Sequence, residues 1–276
     1  MRIARFVLGL LAGAATLAGC SSTRLLDAVT PTGSYHLERD LAYGEHPRQR
    51  VDVYRPASGA HGTVVVFFYG GNWRGGEKAD YRFIGESLSR HAITVVIPDY
   101  RVYPEIRFPT FVEDGARALN WVRDTVAADG ARIFVMGHSS GAHMAALLAL
   151  DPRYGQRDAV AGFVGIAGPY DFLPFGSPRT AEVFEGTMDL AQTQPISFAG
   201  PNSPPTLLFH GAEDRTVYIR NSENLTTALR RSGAPARFVP SRDRGHIDIM
   251  LGLSSMLAGD NRLKAELLDF LRQPRA

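Results

Sequence analysis

A glycine-flanked serine motif is the strongest chemical pattern in the sequence. It spans residues 137–141, Gly-His-Ser-Ser-Gly, with Ser139 at its centre. A buried strand is predicted directly before it at Ile133–Met136, and a helix-forming Ala/Leu run follows it at Ala142–Leu150. The turn between them must be sharp, and a Cβ on either flanking glycine would collide with the neighbouring strand and helix. We therefore predict that Ser139 is a nucleophile.

The base that such a serine needs is predicted to be His246. A serine hydroxyl is a poor nucleophile at neutral pH, so a neighbouring base must take its proton. Among the eight histidines, His138 and His143 lie too close to Ser139 in sequence to be the usual partner. His246 follows the last predicted strand, Arg237–Val239, in an Arg-Gly-His loop. The alternative for His246 is a capping or surface role.

A carboxylate is required as the third member, to hold the imidazole in the correct tautomer and stabilise its cation. Asp214 follows the predicted strand Thr206–Phe209 and lies between Ser139 and His246 in the chain. Serine, aspartate, histidine is the chain order of the α/β-hydrolase fold.

Other assignments of this carboxylate remain open. Glu213 is adjacent, and Asp171 or Asp243 could serve in principle. Asp214 could instead cap a helix near Tyr218. We predict Asp214.

The candidate oxyanion hole is a glycine pair, Gly70-Gly71, that follows the buried run Val64–Tyr69 and precedes Asn72. An oxyanion hole needs backbone N–H groups that point at the developing negative charge. The N–H of Ser140, the residue after the nucleophile, is expected to complete it. Taken alone, a glycine pair after a strand would be a plain turn.

Several stretches resemble known carboxylesterases. The run Tyr69–Trp73, with Gly76 and Lys78, resembles the H-G-G-x-W-x-x-G motif of hormone-sensitive-lipase-like and feruloyl-esterase-like enzymes. Further similar stretches are Pro98–Arg101, Phe108-Pro109 with Asp114, residues 137–143 and Gly168–Asp171. Prenylcysteine methylesterases and kynurenine formamidases are similar in these stretches too. The resemblance covers roughly residues 48–272.

The resemblance implies the α/β-hydrolase fold and the same triad, and it does not indicate the substrate. It maps the hole donors onto Gly71, Asn72 and Ser140, with Gly70 shaping the turn. Tyr69 stands where the family motif has a histidine. Because that histidine generally orders the loop, the departure bears on loop geometry rather than on the reaction.

The function expected is hydrolysis of carboxylic esters, short-chain or aryl, through an acyl-enzyme. An amide hydrolase, such as an arylformamidase or peptidase, would use the same triad. A catalytically silent envelope lipoprotein is the third possibility. No metal or cofactor is predicted, since no His/Cys/carboxylate cluster has ligand spacing.

The N-terminus is typical of a bacterial lipoprotein. Arg2 and Arg5 precede an apolar segment, Phe6–Leu17, that is too short to span a bilayer. The Leu-Ala-Gly-Cys sequence that ends at Cys20 resembles a lipobox, in which cleavage before the cysteine leaves its thiol carrying a diacylglyceryl group. An ordinary secretory signal with an incidental cysteine is the alternative.

These features predict a signal peptide over residues 1–19, lipid attachment at Cys20 and a tether over residues 20–34. Ser21 after the cysteine resembles lipoproteins sorted to an outer membrane, so the expected location is the cell envelope, on the periplasmic side of that membrane. The expected partners are a small ester and, through the lipid anchor, the membrane. Cys20 is the only cysteine, so no disulfide forms within the chain.

Composition fits one globular domain, since 45% of the residues are hydrophobic and 21% are charged. The net charge of +2 falls to zero once Arg2 and Arg5 are removed. No run of five like charges is present, so nothing indicates a nucleic-acid partner.

The elements that must position these residues alternate between short apolar runs and amphipathic stretches. The predicted strands are Val51–Tyr54, Val64–Tyr69, Ile93–Ile97, Ile133–Met136, Val160–Ile166, Thr206–Phe209 and Arg237–Val239. The predicted helices are Tyr81–Arg90, Phe111–Ala128, Gly141–Leu150, Arg220–Ser232 and Asn261–Arg272. This alternation predicts an α/β fold, with a mostly parallel central sheet and helices on both faces, over residues 35–276.

One segment departs from the alternation. Residues 172–205 contain no clear strand, many Pro and Gly, and scattered apolar side chains. Long irregular segments in compact domains are usually lids or disordered. We predict a small cap over the site, against a surface excursion with one short helix.

Overall fold

Eight strands form one mostly parallel sheet in the computed structural model, which describes residues 29–255 and 261–272. They are β1 Tyr35–Ala42, β2 Arg50–Pro56, β3 Thr63–Phe68, β4 Thr94–Pro98, β5 Arg132–His138, β6 Gly162–Ile166, β7 Thr206–Gly211 and β8 Ala236–Ser241. Their order in the sheet is β1-β2-β4-β3-β5-β6-β7-β8. β2 runs antiparallel to both β1 and β4, and all other neighbours are parallel.

Seven α-helices lie in the described part of the chain. They are α1 Arg82–Ser89, α2 Thr110–Thr125, α3 Ser140–Leu150, α4 Pro178–Ala181, α5 Arg220–Arg231, α6 Asp248–Leu251 and α7 Asn261–Arg272. The step from β3 to β4 and the step from β4 to β5 run in opposite directions across the sheet. Because such crossovers are right-handed, α1 and α2 lie on opposite faces. The predicted α/β-hydrolase fold is confirmed.

The central strands match their predictions within two residues because their sequences are continuous β-branched and aromatic runs. Every residue of β3, β4 and β6 is buried, as a parallel strand covered on both faces requires. α3 is buried along its whole length, which explains its Ala/Leu composition. β1 was not predicted, because half of its residues are polar and the run Glu-Arg-Asp interrupts the alternation in YHLERDLA. It pairs only with β2 at the sheet edge.

Residues 172–205 contain no strand, as predicted. The segment consists of α4 and short 3₁₀ turns at Glu182–Phe184, Leu190–Thr193 and Pro195–Phe198. Side-chain contacts with the rest of the domain, rather than hydrogen bonds between strands, hold this segment in place. Its role as a cap stays a prediction.

The predicted signal peptide and Cys20 lie outside the described residues. Of the predicted tether, only residues 29–34 are described. Within the described ranges, no helix combines the length and the apolar character that crossing a membrane requires.

Candidate active site

Ser139 occupies the sharp turn between β5 and α3. Its backbone has φ 54° and ψ −126°, a conformation that costs a non-glycine residue energy and that persists only where the surroundings enforce it. The Ser139 N–H donates to the carbonyl of Ile166 on β6 at 2.9 Å, and the Ser139 carbonyl accepts from the N–H groups of Ala142 and His143. Strand and helix together therefore hold the turn.

The two glycines of the motif are required by close approach. A Cβ on Gly137 would lie 2.3 Å from the carbonyl oxygen of Gly141. A Cβ on Gly141 would lie 2.1 Å from the carbonyl oxygen of Phe68 at the end of β3. Any larger residue would push α3 away from the sheet and displace the serine.

His246 lies in the loop between β8 and α6, with its ring against Ser139. Its Nε2 is 2.9 Å from Ser139 Oγ, and its Nδ1 is 2.7 Å from Asp214 Oδ2. An ionised Asp214 can only accept, so Nδ1 carries the proton and Nε2 is free to take one from the serine. The three residues predicted from the sequence are thus joined in one hydrogen-bonded relay.

His138 holds the loop that carries His246 through a hydrogen bond to its backbone. The Nε2–H of His138 donates to the carbonyl oxygen of His246 at 2.9 Å, and the two rings lie 4.9 Å apart. Burial, followed by the nearby His246, lowers the pKa of His138 from 6.5 to about 3. His138 is therefore a neutral donor across the physiological range.

Asp214 is held in the turn after β7. Its Oδ1 accepts from the N–H groups of Thr216 and Val217 at 2.8 and 2.9 Å, and His210 Nε2 lies 3.2 Å from Oδ2. Burial alone would raise the pKa of Asp214. Hydrogen bonds from His210 and His246 outweigh it and bring the pKa below its ordinary value, so the carboxylate stays ionised.

The other carboxylates considered do not reach His246. Glu213 is exposed in the turn after β7. Asp171 accepts from Asn224 Nδ2 at 2.7 Å instead. Asp243 is exposed in the loop after β8.

The glycine pair after β3 lies directly against the serine. A Cβ on Gly70 would lie 2.9 Å from Ser139 Cβ and 3.1 Å from the carbonyl oxygen of His138. Gly71, Asn72 and Trp73 all have positive φ, which turns the chain sharply beside the site. Asn72 and Ser140 line the cleft above Ser139. The oxyanion-hole assignment remains a prediction that this proximity supports.

Tyr69 ties the loop at residues 69–78 to the sheet by hydrogen bonds. Its hydroxyl donates to Asp99 Oδ1 at 2.7 Å and accepts from Arg48 Nη2 at 3.0 Å. The same Asp99 oxygen accepts from the Lys78 N–H at 2.8 Å, and Arg48 Nη2 donates to the carbonyl of Gly76. Burial raises the pKa of Tyr69 well above its ordinary value, so the phenol remains a donor.

Stacking holds the same side chain. The Tyr69 ring stacks on Tyr100 at 4.8 Å and on Tyr81 at 5.5 Å between centroids. A Cβ on Gly76 would lie 2.8 Å from the ring. Tyr69 therefore orders the glycine loop, the task that the resemblance gives to a histidine at this position.

An aromatic cluster fastens residues 172–205 beside the site. Trp73 packs against Phe172 and Phe184, with ring centroids 5.9 and 5.0 Å apart. Trp73 Nε1–H donates to His143 Nδ1 at 3.2 Å, and His143 Nε2–H donates to the Thr193 carbonyl at 2.7 Å. Burial lowers the pKa of His143 to about 4, which keeps both bonds in place at neutral pH.

A cleft of about 430 Å³ opens above Ser139. Its floor includes Ser139, Ser140 and Asn72, and its apolar wall includes Trp73 and Phe172. Residues from the 172–205 segment line one side, and the turn after Asp214 lines another. Ser139 therefore lies at a cleft between the 172–205 segment and the turn after Asp214.

Sequence reasoning missed several residues that support the triad and the loop. His138 and His210 contact His246 and Asp214, and Arg48 and Asp99 hold Tyr69. His138 lies inside the serine motif and could have been flagged by its position on β5. Arg48 and Asp99 come from distant parts of the chain, and no sequence pattern links them.

The family model BD-FAE matches residues 51–229, which covers both Ser139 and Asp214. A probable isoprenylcysteine alpha-carbonyl methylesterase of Arabidopsis thaliana is 30% identical, over 84% of this chain and 56% of the relative. The esterase LipC of Mycobacterium tuberculosis is also 30% identical, over 71% of this chain and 56% of the relative. This chain thus spans a little over half the length of these two relatives.

Two further similarities were found. The kynurenine formamidase of Danio rerio is 26% identical, over 83% of this chain and 80% of that protein. Among solved structures, a truncated carbohydrate esterase from gut microbiota superposes with a TM-score of 0.76 at 22% identity, over 88% of this chain and 98% of the other. That structural likeness supports the fold.

Proposed function

This chain belongs to the BD-FAE family, and we propose that it is a carboxylesterase-type serine hydrolase acting on small esters. The observation that carries the proposal is the relay from Ser139 Oγ through His246 to Asp214, with contacts of 2.9 and 2.7 Å. A nucleophile, a base and an orienting carboxylate at these distances are the arrangement that acyl transfer requires.

In the first step, His246 Nε2 takes the hydroxyl proton as Ser139 Oγ attacks the ester carbonyl carbon. The carbonyl π pair moves to its oxygen, which becomes an oxyanion. Asp214 stabilises the imidazolium that forms and does not itself take the proton. The N–H groups of Gly71, Asn72 and Ser140 are the proposed donors to that oxyanion, and losing one such donor typically costs about 10²–10³ in rate.

The intermediate then collapses. The bond to the alcohol oxygen breaks, and His246 returns its proton to the leaving alcohol, which leaves an acyl group on Ser139. Water then attacks this acyl-enzyme with His246 again as base, and the acid departs. Hydrolysis of the acyl-enzyme restores the free serine, so the reaction consumes only the ester and one water molecule.

The size of the cleft supports short-chain or aryl esters. About 430 Å³ must hold both the acyl and the alcohol parts of the substrate. The aromatic cluster of Trp73, Phe172 and Phe184 fills the space beneath the 172–205 segment. A long acyl chain would therefore have to extend into solvent, where its burial gains nothing.

Amide hydrolysis is the second candidate, because the kynurenine formamidase relative matches over most of both chains. The same relay would attack an aryl formamide, and His246 would then protonate a departing amine. A catalytically silent binding role is disfavoured, because the strained Ser139 turn costs energy that a binding protein has no reason to retain.

We also propose that the protein is anchored in the cell envelope by a lipid on Cys20, on the sequence evidence alone. Cys20→Ser is then expected to abolish lipid labelling and membrane retention while esterase activity persists. Recovery of the variant in the membrane fraction would contradict the anchor.

The test of the function is a panel of p-nitrophenyl esters of increasing acyl length, together with an aryl formamide, on the purified protein and on Ser139→Ala. We expect kcat/KM to be highest for short acyl groups, and Ser139→Ala to be inactive but folded by circular dichroism. Substantial turnover by the folded variant would contradict the mechanism. Preference for long chains would contradict the proposed size limit, and faster turnover of the formamide would favour the second candidate.

A further inference from the structure

The cleft above Ser139 carries charge of a single sign. Four arginines line it, Arg74, Arg179, Arg215 and Arg220, and no Asp, Glu or Lys is among the described residues that line it. The whole chain has 30 basic and 28 acidic residues, so the excess is local rather than general. A cleft lined by one sign of charge concentrates ligands of the opposite sign.

We propose that the substrate is an ester that also carries an anionic oxyacid group of the carboxylate class, recognised by Arg179, Arg215 and Arg220. The inference rests on the proposed esterase function and adds the charge of its substrate. An Arg guanidinium presents a rigid fork of N–H donors that matches the two oxygens of a carboxylate.

Arg74 is excluded from this role because its guanidinium is already occupied. It forms an ion pair with Glu182 and donates to the carbonyl of Arg179 at 2.7 Å. Its charge also lies 4.0 Å from the centroid of the Tyr103 ring. Arg74 therefore fastens the 172–205 segment to the domain.

The other three guanidiniums form no ion pair with a described carboxylate, and all three side chains are exposed. They come from three separate elements. Arg179 is on α4, Arg215 follows Asp214, and Arg220 begins α5. Gathering like charges around one cleft costs folding free energy, which a bound anion would offset.

Arg220 is partly preorganised for such a ligand. Its guanidinium lies 5.1 Å from the centroid of Tyr218, which also lines the cleft. Tyr218 is 57% exposed, unusually open for an aromatic side chain in a folded domain. Stacking limits the motion of the guanidinium while its edge N–H groups stay available, and the ring offers a face to the body of the substrate.

The experiment compares esters that differ only in charge. Para-acetoxybenzoate and para-acetoxybenzamide carry the difference on the alcohol side. Mono-p-nitrophenyl terephthalate and p-nitrophenyl p-carbamoylbenzoate carry it on the acyl side. In at least one pair, we expect kcat/KM for the anionic ester to exceed that for the amide by about tenfold, in keeping with a charge-assisted hydrogen bond. About 0.5 M sodium chloride should reduce that preference, since it shortens the screening length.

Three variants, Arg179→Gln, Arg215→Gln and Arg220→Gln, test which arginines cause the preference for the anionic ester. Each should lower the ratio of anionic to neutral kcat/KM, and the triple variant should bring it close to one. Arg231→Gln is the matched control, because Arg231 is an exposed residue at the other end of α5 and lies outside the cleft. It should leave the ratio at the wild-type value.

Two results would overturn the proposal: equal turnover of both members of each pair, or a preference that the triple variant retains. Either result leaves ester hydrolysis through Ser139 intact, so it is distinct from failure of the proposed function. If the proposed esterase function is wrong, neither the charged nor the neutral ester is cleaved, and the substrate proposal fails with it.

Discussion

The two sides of Ser139 are built in different ways. On the sheet side, His138, Asp214 and Tyr69 are buried, and each forms a hydrogen bond that holds His246 or the glycine loop. On the cleft side, Tyr218 and the three unpaired arginines are exposed, and the backbone of residues 172–205 is irregular.

We infer from this difference that the sheet side determines the rate of the reaction and the cleft side determines which esters are accepted. In the proposed mechanism, the sheet side fixes the distances between the groups that carry out acyl transfer, so its sequence is constrained by both packing and hydrogen bonding. The cleft side touches only the variable parts of a substrate, and its residues can change without disturbing the core. Substitutions on the sheet side should therefore lower kcat for every ester, and those on the cleft side should affect some esters and not others.

The largest effect that distinguishes the two sides is expected from Asp214→Asn. An amide at this position stabilises the wrong imidazole tautomer, and the same change in the Asp of another serine-hydrolase fold lowers kcat by about 10⁴. The loss should be similar for every ester, as measured by kcat on a short-chain and an aryl substrate.

Glu213→Gln is the matched control, because Glu213 is adjacent but exposed and contributes only screened electrostatics. A severe loss in Glu213→Gln with near-normal activity in Asp214→Asn would reverse the assignment. If both variants are active, a carboxylate other than these two serves His246.

Tyr69→Phe should have the next largest effect. It removes the hydroxyl that bridges Arg48 and Asp99, while the ring can still stack on Tyr81 and Tyr100. Loosening the glycine loop should lower kcat by about tenfold to hundredfold with little change in KM, since misplacement by about 1 Å can cost 10² in rate. Leaving Asp99 with one partner fewer should cost about 1–3 kcal/mol of stability.

Tyr170→Phe is the control for this prediction. Tyr170 is also fully buried, but it follows β6 and lies outside the network that holds the glycine loop. Its variant should keep the wild-type kcat. Unchanged kcat in Tyr69→Phe would show that the function of the glycine loop does not depend on that hydroxyl.

The sheet side should also make stability depend on pH. The pKa of His138 is lowered to about 3 and that of His143 to about 4, both by burial first. Between pH 7 and pH 5 the unfolded chain therefore binds protons that the folded chain excludes, and stability falls as the pH falls. Each histidine contributes about 2 kcal/mol over this window.

His138→Asn keeps an N–H donor but cannot titrate. Urea unfolding at both pH values should show a pH-dependent loss that is about 2 kcal/mol smaller than in the wild type. Asp99, whose pKa burial raises, acts in the opposite direction, but it is common to both proteins and cancels in the comparison. Equal pH dependence in variant and wild type would contradict the neutral, buried state of His138.

The smallest effect is expected on the cleft side, from Tyr218→Ala. Loss of an exposed ring should raise KM for aryl esters by about threefold, the size of a modest aromatic contact, and leave alkyl esters and the melting temperature unchanged. Equal effects on aryl and alkyl esters would show that this side does not discriminate between them.

The sheet side was largely predictable from the sequence because its constraints are local. Flanking glycines, a preceding β-branched run and a following Ala/Leu helix all lie within about one strand and one helix of Ser139. The assignments of His246 and Asp214 followed from their positions just after predicted strands and from their order in the chain. In the structure His246 lies at hydrogen-bonding distance from Ser139, and Asp214 lies at hydrogen-bonding distance from His246.

The remaining features depend on contacts between distant segments. Arg48 and Asp99 meet at Tyr69 only once β2, β3 and β4 are paired. The alternation of apolar residues in β1 is interrupted by a charged run, so the strand was not recognised. Three of the cleft arginines, Arg179, Arg215 and Arg220, are spread over 42 residues of sequence, and only the fold brings them around one opening. Sequence periodicity does not show which distant segments of the chain come into contact.

The central claim is that Ser139 is an activated nucleophile, and labelling with a fluorophosphonate probe tests it most directly. The probe requires no assumption about the substrate, because it reacts with a serine that a neighbouring base deprotonates. We predict a single adduct on the peptide that contains Ser139, formed quickly in the wild type, slowly in Asp214→Asn and not at all in Ser139→Ala. Absence of labelling in the folded wild-type protein, or an adduct that persists in Ser139→Ala, would contradict the account.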